Sequence, residues 1–100
     1  MQLKKYRWSR DYESAEEELQ QLFSRHHYEP VRWHGSEHQV YGLKTAIQDT
    51  KLWCAEGSIF YSVSGQRYSL QPGDALDIPE GADYEAVAGI SGCVCYELTL

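Results

Sequence analysis

The sequence predicts an all-β domain, a sandwich or barrel of short strands preceded by one helix. Three observations carry this. From Val31 onward apolar residues recur every second position, as they do on a half-buried strand. Turn-forming pairs break this pattern at short, regular intervals. Helical periodicity occurs in one segment, ahead of the strands, so no helix is available to link parallel neighbours.

Leu3–Trp8 reads as a short charged strand at a sheet edge, where lysine discourages unwanted pairing. The helix is predicted over about 14–27. Ser14-Ala-Glu-Glu17 forms a capping box, in which the hydroxyl accepts a backbone N–H and Glu17 reaches back. Ala15, Leu19, Leu22 and Phe23 fall on one stripe, with Glu16, Glu17, Gln20, Gln21 and Ser24 around it. Glu16, Glu17 and Glu18 suit the positive end of the helix dipole, and Arg25, His26 and His27 suit its negative end. Pro30 prevents the helix from continuing.

The strand region follows, over about 31–100. Ile59, Tyr61 and Val63 alternate with Ser58, Phe60 and Ser62. Tyr68 and Leu70, then Leu76 and Ile78, repeat the pattern, and Val94, Tyr96, Leu98 and Leu100 alternate with Cys93, Cys95, Glu97 and Thr99. The separators are Glu56-Gly57, Ser64-Gly65, Pro72-Gly73-Asp74, Pro79-Glu-Gly81 and Gly89-Ile-Ser-Gly92.

The chain has 100 residues, enough for one domain with one modest core. Its 42% apolar content is that of a globular protein, and nothing approaches the roughly 18 apolar residues of a membrane span. The basic start runs into Ser9-Arg10-Asp11 and not into an apolar stretch, so a cytoplasmic location is expected. A net charge of −6 argues against a nucleic-acid partner and against an anionic membrane surface. The patch Lys4, Lys5, Arg7 and Arg10 reads as a solvated edge. Cys54, Cys93 and Cys95 are too few and too odd in number for a disulfide framework. Cys93 and Cys95 share one strand face, and without a second pair they read as small apolar core residues.

The stretch from Gly57 to Gly81, with Ser64-Gly65, Pro72-Gly73-Asp74 and Ile78-Pro79-Glu-Gly81, resembles the centre of a small cupin. Gly73, Pro79 and Gly81 match the spacing of that superfamily's second motif, and Gly57 matches the closing glycine of the first. The opening glycine of the first motif is unmatched. The resemblance covers roughly Tyr41 to Glu97 and implies a double-stranded β-helix, the jelly-roll barrel. Each of its matching residues also has a purely structural use: Pro72 and Gly73 form a turn, Pro79 ends pairing, and Gly81 reverses the chain.

A cupin commonly holds a metal with two histidines and a glutamate from the first motif and a histidine from the second. By the resemblance the histidine pair falls on Lys44 and Ala46, or on Leu43 and Thr45 with the longer permitted spacing, the glutamate on Thr50 and the last histidine on Tyr84, and these cannot chelate a transition ion. No metal and no other cofactor is therefore expected. His26, His27, His34 and His38 lie close in sequence, and only His34 and His38 offer an alternative pair. That pair would be needed for a metal-dependent enzyme of the dioxygenase or isomerase type. The reading preferred here is a metal-independent cupin that binds a small polar or anionic molecule inside the barrel, at Lys44, Thr50, Tyr61, Tyr84 and Glu97. The resemblance also implies a homodimer, with Trp8, Trp33 and Trp53 as large apolar surface.

Overall fold

The computed structural model describes residues 1–8 and 15–100. Along the chain these form β1 (Lys4–Arg7), α1 (Ala15–His26), β2 (Val31–Gly35), β3 (Val40–Thr45), β4 (Thr50–Val63), β5 (Gln66–Leu70), β6 (Asp74–Ile78) and β7 (Asp83–Thr99). All pairing is antiparallel. No helix among the described residues is long and apolar enough to cross a membrane.

Two long strands organise the barrel. β4 and β7 pair along nearly their whole length, from Thr50↔Thr99 to Val63↔Tyr84. At one end β4 pairs with β6 and β7 with β2, giving the order β1-β6-β4-β7-β2. At the other end β5 joins β4 and β3 joins β7. Two antiparallel layers thus share β4 and β7, which turn from one layer into the other.

The turn lies at Gly57 and Gly92. Register shifts flank Glu56 and Gly57, and both glycines have positive φ, 70° and 72°. A Cβ on Gly57 would sit 2.1 Å from the Gly92 carbonyl oxygen, and one on Gly92 would sit 2.5 Å from that of Gly35. Glu56-Gly57 and Gly89-Ile-Ser-Gly92, expected to separate strands, are instead bends within continuous ones. The physical reason is that β4 and β7 remain paired on both sides, so the ladder bulges and does not end. The Pro72-Gly73-Asp74 turn forms as expected: Asp74 N–H donates to the Gln71 carbonyl at 2.9 Å, and Gly73 takes φ 96°.

Strand alternation sorts side chains between two cores. Leu52, Cys54, Ile59, Tyr61, Val63, Leu70, Leu76, Ile78, Cys93 and Cys95 face the barrel interior. Trp53, Ala55, Ala75 and Tyr96 face outward, where α1 covers them with Leu19 and Phe23. Val94 and Leu98 pack on this outer side, and Cys93 and Cys95 take the interior. Trp53 is 1% exposed, Trp8 is half-buried beside the helix core, and Trp33 is half-buried against the barrel core. None of the three forms the exposed apolar surface expected of it.

The predicted capping residue Ser14 lies outside the described residues. At its other end α1 closes with paired bonds, Tyr28 N–H to Phe23 O at 2.9 Å and His27 N–H to Ser24 O at 3.3 Å. This is the Schellman pattern, with His27 at the left-handed position (φ 56°) that glycine usually fills. A polar clamp ties the helix to the sheet. Arg32 Nε and the Tyr96 hydroxyl both donate to Glu16 Oε1, at 2.8 and 2.7 Å, and Gln20 Nε2 donates to the Tyr96 hydroxyl at 2.7 Å. The edge strand β1 is less simply solvated than its charges suggest. Arg7 and Lys5 approach the buried Asp74 carboxylate at 2.9 and 3.9 Å.

Candidate ligand site at the barrel mouth

Among the described residues β2 and β3 each pair with β7 and with no other strand, one in each layer. The sandwich therefore opens between them, and its interior is reached from this side. Strand alternation, reset by the register shift between Tyr41 and Lys44 and by those along the β4–β7 ladder, brings Trp33 of β2, Tyr41 and Lys44 of β3, Tyr61 of β4, and Tyr84 and Glu97 of β7 to the opening. They line a narrow cavity of about 40 Å³. Trp33, Tyr41, Lys44 and Glu97 also border a wider, shallower space of about 340 Å³ outside it. The inner volume accommodates only a few waters. The space lies at the mouth and not deep within the barrel, because Tyr61, Leu52 and their neighbours fill the interior.

Four of the five residues expected to line a pocket meet here: Lys44, Tyr61, Tyr84 and Glu97. Thr50 does not line it. Thr50 is buried at the start of β4, and its hydroxyl donates to the Gln48 carbonyl at 3.0 Å. Trp33 and Tyr41 are lining residues that the sequence reading passed over. For Trp33 the signal was the alternation Val31-Trp33-Gly35 against Arg32-His34 at the start of the strand region, which forms β2.

Gly35 makes room for Tyr41. A Cβ at Gly35 would lie 2.6 Å from the Tyr41 hydroxyl oxygen and 3.1 Å from Cys93 Sγ. Trp33 and Tyr41 meet edge to face, with centroids 5.1 Å apart. Lys44 Nζ stands 5.2 Å from the Tyr84 ring centre, and the Tyr61 and Tyr84 rings are 6.4 Å apart. The mouth therefore combines aromatic walls with an ammonium from β3 and a carboxylate from β7.

These surroundings set the proton affinities. Burial raises the Tyr84 phenol, and Lys44 acts in the opposite direction by hydrogen bonding and charge. Burial is the main reason Tyr61 stands well above the ordinary phenol value, with Cys95 and Glu97 adding to the rise. Both rings are neutral hydrogen-bonding groups near neutral pH. Beneath them, hydrogen bonding with Cys95 brings the Cys93 thiol down to about 7, while bonds to Cys54 and Cys93, with burial, push Cys95 up.

The residues at the metal positions of a cupin do not fit a metal. Lys44 contributes a cation, Ala46 a buried methyl, Thr50 a hydroxyl already bonded to backbone, and Tyr84 a neutral phenol. Among the described residues no three His, Cys, Asp or Glu side chains gather around a point that could hold an ion. His34 is exposed on β2, and His38 is in the following turn with Nε2 3.8 Å from Glu37. His26 stacks on Tyr28 at 5.2 Å, and His27 serves the helix end.

Helix, corner glycines and open mouth define a small jelly-roll barrel. Solved structures place this fold among the cupins. A DUF861 family protein from Thermotoga maritima matches with TM-score 0.67 and 14% identity, over 99% of this chain and 100% of its own. The CENP-C cupin domain of Drosophila melanogaster matches with TM-score 0.61 and 20% identity, over 71% of this chain and 58% of its own. KdgF from Halomonas sp. matches with TM-score 0.61 and 19% identity, over 70% of this chain and 66% of its own. This chain thus corresponds to less than two-thirds of the length of the latter two. No protein-family model and no curated protein sequence matches it. The fold is that of a small cupin.

Proposed function

We propose that this protein is a metal-independent cupin that binds a small polar or anionic organic molecule at the barrel mouth. The observation that carries the reading is the convergence of Lys44, Tyr61, Tyr84 and Glu97, with Trp33 and Tyr41, on one opening. Such a site is mostly aromatic with a few polar groups that fix orientation. Lys44 supplies the attraction for an anion. Glu97 accepts a hydrogen bond from a hydroxyl or amine at the ligand's other end, and the rings flank its body. The narrow inner cavity selects for a slim group, and the wider outer space holds the rest. A reducing cytoplasm suits the reading, because three free thiols persist there.

Calorimetric titration with 4-hydroxybenzoate and with glycerate tests this. Binding of at least one is expected, and Lys44→Met is expected to weaken it about tenfold, the effect of losing one charge-assisted hydrogen bond. No heat from either compound at millimolar concentration overturns the reading. So does an affinity that is the same in Lys44→Met and Glu97→Gln as in the parent.

A further inference from the structure

Three free thiols, Cys54, Cys93 and Cys95, share the barrel interior behind the mouth, and neither the fold nor the ligand site uses their chemistry. They do not converge on a point that could hold an ion, and their surroundings differ. Cys93 keeps 5% of its surface exposed, whereas Cys54 and Cys95 keep 0% and 1%. The Cys93 sulfur and the Tyr41 hydroxyl close on one spot, the space left by the missing side chain of Gly35. Tyr41 lines the mouth cavity, so Cys93 lies one side chain behind it. That cavity, at about 40 Å³, has the size for water or a peroxide and not for a bulkier oxidant.

Two donors point at the Cys93 sulfur, the Cys95 S–H and the Gly35 N–H. They favour the thiolate, which brings this thiol down to about 7 against the opposing effect of burial. The other titratable groups facing it are phenols, Tyr41 from β3 and Tyr61 from β4, both raised by burial and therefore neutral. Near neutral pH about half of Cys93 is thiolate, against a few per cent of an ordinary thiol. The thiolate is the nucleophile, so the gain in reactivity is roughly tenfold. Cys95, by contrast, is held protonated by its bonds to Cys54 and Cys93.

Strand geometry decides the product. Cys54 and Cys95 are direct partners across the β4–β7 ladder, where Cα atoms about 4.5–5.5 Å apart suit a disulfide. Cys93 and Cys95 are two apart along β7, with Cα atoms about 6.6 Å apart, near the outer limit for a disulfide. Their Cβ atoms, at a similar spacing, are well beyond the roughly 4.5 Å that a disulfide spans. β7 is paired on both sides here, Cys93 with Gly35 and with Gly57, so the strand cannot bend to bring the two sulfurs together. An oxidised Cys93 therefore has no thiol within bonding reach.

We propose that Cys93 is a site of reversible oxidation by hydrogen peroxide that stops at the sulfenic acid. The thiolate sulfur attacks one peroxide oxygen, an S–O bond forms and the O–O bond breaks. The transferred oxygen keeps its hydrogen and hydroxide leaves, so sulfur loses two electrons and peroxide gains them. A small thiol reverses the step: it displaces water to give a mixed disulfide, which a second equivalent opens. The mouth serves here only as the path for peroxide, and no bound ligand is needed, so the test is run without one and stands or falls apart from the ligand-site reading.

Peroxide treatment of the reduced, ligand-free chain in the presence of dimedone, followed by peptide mass mapping, tests the proposal. Dimedone traps sulfenic acid and ignores methionine sulfoxide. The adduct is expected on Cys93 about tenfold or more faster than on Cys54 or Cys95. Its rate should rise with pH through a midpoint near 7. Cys95→Ala removes one donor and is expected to move that midpoint toward the ordinary thiol value of about 8.5. A circular dichroism melt checks that this variant folds; if it does not, the mapping of the parent decides alone. Without dimedone, one extra oxygen is expected on Cys93, removed by dithiothreitol. No adduct on Cys93, a faster adduct on Cys54 or Cys95, or a Cys54–Cys95 disulfide as the main product overturns the proposal. So does a midpoint that stays in place in folded Cys95→Ala.

Discussion

Replacing Phe23 by alanine tests how the helix is held on the barrel. Phe23 is 4% exposed and meets Trp53 edge-on at 4.9 Å and Tyr96 at 5.1 Å. Truncating a buried phenylalanine costs about 3–5 kcal/mol. The two ring contacts, worth ~0.5–1.5 kcal/mol each, are contained within that figure. The site lies under a surface helix that can settle partly into the space, so the lower half applies, about 3–4 kcal/mol. At roughly 4–8 °C per kcal/mol for a domain of this size, melting should fall by about 12–30 °C. Urea unfolding, followed by circular dichroism and by tryptophan fluorescence, measures the loss. The loss should reach the mouth too, because α1 holds β2 through Glu16 and Arg32, and β2 carries Trp33. A loss below about 1 kcal/mol with an unchanged denaturant slope would refute the packing described here.

Three further outcomes are expected. His27→Gly relieves a left-handed residue at the helix end and should stabilise by about 0.5–1 kcal/mol; a loss in urea unfolding would contradict the Schellman assignment. Hydrogen bonds from Arg32 and Tyr96 hold the Glu16 carboxyl below its ordinary value of 4.5. The resulting stability is complete above that value and is lost as pH falls through the lower folded-state value. Arg32 is half-exposed, so the effect is modest and salt-sensitive, and Glu16→Gln should lose the corresponding acid-limb slope in pH-dependent melts. Dialysis against EDTA should leave the melting temperature within about 1 °C, whereas a structural metal would give a drop of many degrees.

What was legible in the sequence was local. Pro72-Gly73-Asp74 specifies its turn through the fixed φ of proline and the freedom of the glycine, and the structure closes it with the Asp74–Gln71 bond. The helix stripe at Ala15, Leu19 and Phe23 follows from its period, and all three are buried. Gly57 was misread because its need for glycine comes from the Gly92 carbonyl, a neighbour 35 positions away that only the bent ladder supplies. The β4–β7 pairing therefore hid two bends as two turns. Lys44, Tyr61, Tyr84 and Glu97 could be gathered because the cupin resemblance aligned their strands, although the bulges that bring Tyr84 and Glu97 of β7 to one side were not legible. Trp33 and Tyr41 could not, since β2 and β3 are placed by their shared partner β7 and by no turn signal of their own. Thr50 has the right parity but turns its hydroxyl to its own backbone, a choice that no pattern of residue types records.

Indole N–H resonances offer the most direct test of the mouth as the binding site. Trp33 lines it, whereas Trp53 is sealed beneath the helix on the outer face of the sheet. During titration with 4-hydroxybenzoate, the Trp33 signal should move progressively to saturation while that of Trp53 stays fixed. If Trp53 moves and Trp33 does not, or if neither responds at millimolar ligand, the opening between β2 and β3 is not a binding site.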